Sequence, residues 1–119
     1  MPNTLETDFH EAMLDVYRRA KTEAHYNPVR FLRMVSERGG LETARHLLHA
    51  PTVSEGYTAL WERGRLDLTV EALILEPQWQ PLFGKEERRI AVERLKEYEF
   101  QGRLPDLEPK EGTTAGEDS

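Results

Sequence analysis

Between Leu5 and Ala24, apolar residues recur at intervals of three and four: Leu5, Phe9, Met13, Val16, Tyr17, Ala20 and Ala24. On a helical wheel they occupy about a third of the circumference, which predicts one amphipathic helix of about five turns. Leu14 broadens the stripe, and Asn3 and Glu6 have the spacing of a capping box at its start. A stripe of that length must be covered by other apolar faces. The rest of the chain supplies them in short helical pieces divided by proline, glycine and serine.

Asn27 reads as a cap with Pro28 at the first position of a second helix. This helix carries Phe31, Leu32 and Val35 and stops at Gly39-Gly40, where glycine tolerates the left-handed conformation that ends helices. A short third helix turns Leu41, Ala44, Leu47 and Leu48 one way and ends at Pro51. Ser54 caps a fourth helix with Tyr57, Leu60 and Trp61, and Gly64 stops it. Leu66 to Val70 alternates briefly like a strand, but a lone strand would leave its backbone groups unpaired. A fifth helix through Val70, Ala72, Leu73, Ile74 and Leu75, capped by Asp67 or Thr69, is preferred. Being apolar nearly all round, it should be the central buried element. Pro77 to Pro81 forms a turn that brings Trp79 to the core. A last helix over about residues 85–99 offers Ile90, Ala91, Val92, Leu95 and Tyr98. The expected architecture is all-α: a compact single domain of five to six helices over residues 1–102, with a disordered acidic tail at 103–119.

A length of 119 residues suits one domain with one core. The absence of cysteine excludes disulfide scaffolds, Cys-ligated zinc, iron–sulfur clusters and thiol catalysis. No apolar run approaches the roughly 20 residues of a membrane span. Glu6, Asp8 and Glu11 stand where a secretory signal would be basic and then apolar, so a cytoplasmic protein is expected. The net charge of −6 is uneven. Residues 1–13 sum to −3, residues 14–65 to +3, residues 66–100 to −3 and residues 101–119 to −3. The ordinary reading is a solvated surface; the sharper one is a basic middle face for an anionic partner, for which the acidic tail competes.

Glu42, His46 and His49 project from one side of the third helix, and imidazole with carboxylate suits zinc or iron. One short helix cannot complete a coordination sphere, and His10, His25 or acids elsewhere would have to join. The three residues are therefore weak metal candidates, and no cofactor is expected. Of the nucleophile candidates, Ser36 lies within a helix and Ser54 is better explained as a cap; neither sits in a nucleophile elbow. No phosphate loop or dinucleotide fingerprint occurs. The chain reads as a non-enzyme.

Leu41 to Arg65 has a helix-turn-helix outline, with Ala44 small enough for helices to approach and Val53 plugging the turn. In that reading Arg45, Ser54, Tyr57, Thr58, Arg63 and Arg65 contact nucleic acid. Glu55 and Glu62 oppose it by repelling phosphate. Arg33 and Glu37 have the spacing of an intrahelical ion pair, and Arg18 and Arg19 that of a mixed face with Asp15 and Glu23. Trp61 and Trp79 are expected as core anchors; an exposed Trp would instead suggest a partner surface.

The stretch Tyr26–Glu71 resembles a small bacterial domain family with no established activity. The resemblance runs through Tyr26-Asn27-Pro28, Arg30-Phe31-Leu32, Gly39-Gly40, Trp61 and Gly64-Arg65-Leu66-Asp67-Leu68-Thr69-Val70-Glu71. It implies a bacterial cytosolic origin and transfers no catalytic residue. The expectation is a helical module that binds a protein partner or itself, with the first helix as a candidate interface. Nucleic-acid binding through residues 41–65 is the alternative.

Overall fold

The computed structural model describes residues 4–98, and all regular structure there is helical. Six α-helices follow in order: α1 (Thr4–Glu23), α2 (Val29–Arg38), α3 (Gly40–His49), α4 (Glu55–Glu62), α5 (Val70–Ile74) and α6 (Lys85–Glu97). Short 3₁₀ turns occupy Leu66–Leu68 and Pro77–Leu82. The all-α expectation holds. The proposed Asn3 cap and the 103–119 tail lie outside the described residues.

The long stripe of α1 buries Phe9, Met13 and Ala20 and packs on α2 and α3. Phe9 meets Trp79 and Phe83 edge-on, with ring centroids 5.2 Å apart in each pair, an arrangement that aromatic quadrupoles favour. The short α5 is mostly buried, as its composition predicted, although α3, packed against α1, α2, α5 and α6, is the more central helix. Val70, Leu73 and Ile74 are buried and α5 rests on α6 and α3. Five residues cannot sustain a helix by propensity; packing and a cap hold this one, with the Thr69 hydroxyl accepting the Ala72 N–H and donating to the Leu66 carbonyl.

Ser54 caps α4 as expected, accepting the Tyr57 N–H at 3.1 Å. Gly64 ends it at φ +70°. Two boundaries differ from the sequence reading. Pro28, not Asn27, occupies the position before α2, and the Asn27 carboxamide oxygen accepts the Tyr17 hydroxyl at 2.9 Å instead. Gly39 alone ends α2, at φ +89°, while Gly40 opens α3. Trp79 is buried at 6% exposure, but Trp61 is 45% exposed and lies edge-on to Tyr98, so it anchors no core.

Candidate functional site

α2 is only half seated. Its C-terminal half drops Val35 into the core beside the Gly39 turn, but Phe31, Leu32 and Met34 are half-buried and Val29 is exposed. The N-terminal half of α2 thus stands off from α4, and between them lies a cleft of about 620 Å³. Val16 and Ala20 of α1, Leu47 of α3, Leu60 of α4 and Leu68 contribute apolar lining; Tyr26, Phe31 and Tyr57 add aromatic rings. Pro28 and Gly56 are also in its lining. The nearest atoms to a Cβ at Gly56 would be the Tyr26 hydroxyl, the Ser54 hydroxyl and the Tyr26 ring, at 3.7, 3.8 and 3.9 Å, which is ordinary contact.

Charge sits at the cleft's edge and at one buried point. Arg30, Arg33, His46 and Glu55 are exposed lining residues. Arg30 reaches Glu55 at 3.5 Å with both side chains more than four-fifths exposed, a pair of little energetic weight. Arg33 makes no ion pair among the described residues, so the expected Arg33–Glu37 pair does not form. The Arg18–Asp15 and Arg19–Glu23 pairs of the α1 face do.

The buried point is Glu71. It lines the cleft at 3% exposure and pairs with Arg94 of α6 at 2.8 Å. Burial pushes its carboxyl above the usual range, opposed by the Arg94 hydrogen bond. Arg94 also donates to the carbonyls of Leu47 and Ala50, at 3.1 and 2.7 Å, where the negative end of α3 favours a cation. The Tyr57 hydroxyl donates to the Arg94 carbonyl at 2.9 Å, and burial raises its pKa well above the phenol range. Arg94 therefore locks α3, α4, α5 and α6 around the cleft. The Ser54 and Thr69 hydroxyls in the lining are engaged as helix caps. The arrangement is equipped to bind: an apolar, aromatic trough, cationic at the α2 edge and rigid beneath.

The residues singled out in the sequence are dispersed. Glu42 lies 3.6 Å from Arg45, His49 bonds Glu87 at 2.8 Å, and His46 faces the cleft. Among the described residues no group of three metal-capable side chains is brought together. In the 41–65 segment, α3 packs chiefly on α1 and α2, and α4 on the Leu66–Leu68 turn. Arg45 donates to the Leu82 carbonyl; Arg63 donates to the Ala24 and Ala59 carbonyls and stacks on Tyr26. Arg65 binds Glu23 and Asp67, Tyr57 is buried, and Thr58 is half-buried. Sequence reasoning passed over Glu71 and Arg94. The available signal was one acid inside the otherwise apolar 70–75 run and one base beside the apolar face of α6. No helix among the described residues is long and apolar enough to cross a membrane. No protein-family model, curated protein or solved structure matches the chain.

Proposed function

We propose that this domain is a non-enzymatic, cytoplasmic protein-interaction module whose α2–α4 cleft takes an extended, apolar segment with acidic flanks from a partner protein. The observation that carries the reading is the cleft itself: about 620 Å³ beneath a helix whose apolar face is only half covered. Ligand sites fall in the range of about 300–1,000 Å³. Aromatic-lined grooves suit extended peptides, whose side chains insert while their backbone stays straight. Arg33, without an ion pair among the described residues, and the weakly paired Arg30 favour acidic flanks over basic ones. Nucleic-acid binding through residues 41–65 has less support, because Arg45, Arg63 and Arg65 are held by internal acceptors.

The test is selection of displayed peptides on the immobilised full chain, with Gly56→Phe as the counter-target. Phe at 56 fills the cleft from a position where a Cβ is tolerated. Enriched acidic–apolar sequences that fail to bind Gly56→Phe support the reading. No enrichment, or equal binding to both proteins, overturns it.

A further inference from the structure

Taking the cleft as a binding site, we infer that residues 100–109 of the same chain are its ligand in cis, an autoinhibitory segment that a partner must displace. The described chain stops at Tyr98, whose ring lies edge-on to Tyr57 at 4.9 Å, and Tyr57 lines the cleft. The following residues therefore start one ring away from the site. Ten residues extend to about 33 Å, ample for a return to a neighbouring trough.

The chemistry of this stretch matches the trough. It reads Phe100-Gln101-Gly102-Arg103-Leu104-Pro105-Asp106-Leu107-Glu108-Pro109. Leu104 and Leu107 stand three residues apart, the repeat of a polyproline-type ligand, and Pro105 and Pro109 are compatible with that form. Two leucines on one edge fit a lining of Phe31, Met34, Leu60 and Val70. Asp106 and Glu108 fall on the two flanking edges, so one of them faces Arg30 and Arg33. Residues 100–109 hold two acids, Asp106 and Glu108, and one base, Arg103, so the segment carries a net charge of −1, opposite in sign to Arg30 and Arg33 of the α2 edge.

The chain lacks cysteine, so Thr113→Cys gives a single site for a nitroxide spin label on the full-length protein. The inference predicts paramagnetic broadening concentrated at the amides of residues 29–34 and 54–60, and its loss in the Leu104→Asp/Leu107→Asp variant. Broadening spread over the whole surface, or unaltered by the double substitution, would overturn it. So would broadening seen only when spin-labelled chains are mixed with isotope-labelled ones, since that places a second copy in the cleft. A peptide from the display selection separates the inference from the reading beneath it. A tethered competitor near millimolar effective concentration with a Kd near 0.1 mM weakens an outside ligand about tenfold. The peptide should therefore bind Leu104→Asp/Leu107→Asp about tenfold more tightly than the native chain. Equal affinity rejects the tail as ligand and leaves the cleft reading standing; absence of any cleft-dependent peptide rejects both.

Discussion

The imidazole of His10, in the middle of α1, caps a different helix: its Nδ1 accepts the Gly40 N–H at 2.9 Å where α3 begins. A Cβ at residue 40 would lie 2.7 Å from the His10 Cα, so the two helices touch backbone to backbone. This contact fixes α3 under α1 and hence the inner wall of the cleft. Gly40→Ala gains up to about 1 kcal/mol of helix propensity, but the forced separation costs about 1–3 kcal/mol. The clash is with backbone that cannot swing away, so the variant should be less stable. His10→Ala should lose about 1 kcal/mol, as removal of a cap does, and His10→Asn, with an acceptor similarly placed, should recover part of it. Urea denaturation checks the order; a Gly40→Ala protein as stable as the native one would contradict it.

Glu71 should give an inverted pH signature. Its carboxyl is raised by burial, so its contribution to stability is fully present below the unfolded value near 4.5 and is lost as pH rises through the higher folded value. Glu71→Gln removes that dependence. At pH 7 the variant, whose carboxamide can still accept the Arg94 N–H, should cost less than Glu71→Ala, which leaves Arg94 at 11% exposure with neither countercharge nor acceptor there and should cost about 3–5 kcal/mol. Melting curves from pH 7 to pH 4 should show the native protein gaining on Glu71→Gln. A native protein that instead loses ground on acidification would mean that Arg94 outweighs desolvation.

The opposite sign applies to Glu23. Hydrogen bonds from Arg19 and Arg65 hold its carboxyl down to about 2. Its stabilising contribution is present above about 4.5 and disappears as pH falls through about 2. Arg65→Met should raise the pH at which acid unfolding begins, read by circular dichroism. An unchanged acid transition would show that the Arg65–Glu23–Asp67 cluster contributes nothing.

Two buried positions test the core. Thr43 is fully buried, and its hydroxyl has no hydrogen-bond partner among the described residues. Thr43→Val keeps the shape and removes an unsatisfied group, so it should stabilise by about 1–2 kcal/mol. Leu73, 7% exposed in the cluster that joins α5 to the rest, is the contrary case: Leu73→Asp places a charge in the core and should prevent folding. A destabilised Thr43→Val, or a cooperatively melting Leu73→Asp protein, would contradict this packing.

Much of the fold was legible because its punctuation is local. Ser54, Thr69, Gly39 and Gly64 each act within a few residues of their own backbone, and the α1 stripe carries the helical period over many turns. What escaped depends on partners distant in sequence. Gly40 reads as a helix stop until His10 is seen 30 residues away. Asn27 reads as a cap until the Tyr17 hydroxyl claims its oxygen. Trp61 and Trp79 look alike in sequence, yet one meets Phe9 in the core and the other meets Tyr98 at the surface. The cleft was least legible of all, since it arises where the N-terminal half of α2 stands off from α4, and no residue type marks a gap.

The α2–α4 cleft is the proposed site at which this domain binds its partner. The most direct measurement is a titration of isotope-labelled full chain with the tightest display-selected peptide, mapped by amide chemical shifts. The largest shifts are expected at residues 29–34 and 54–60, with none in Gly56→Phe, which should melt no lower than the native protein. Shifts centred on Trp61 and α6, or undiminished by Gly56→Phe, would place the binding site elsewhere.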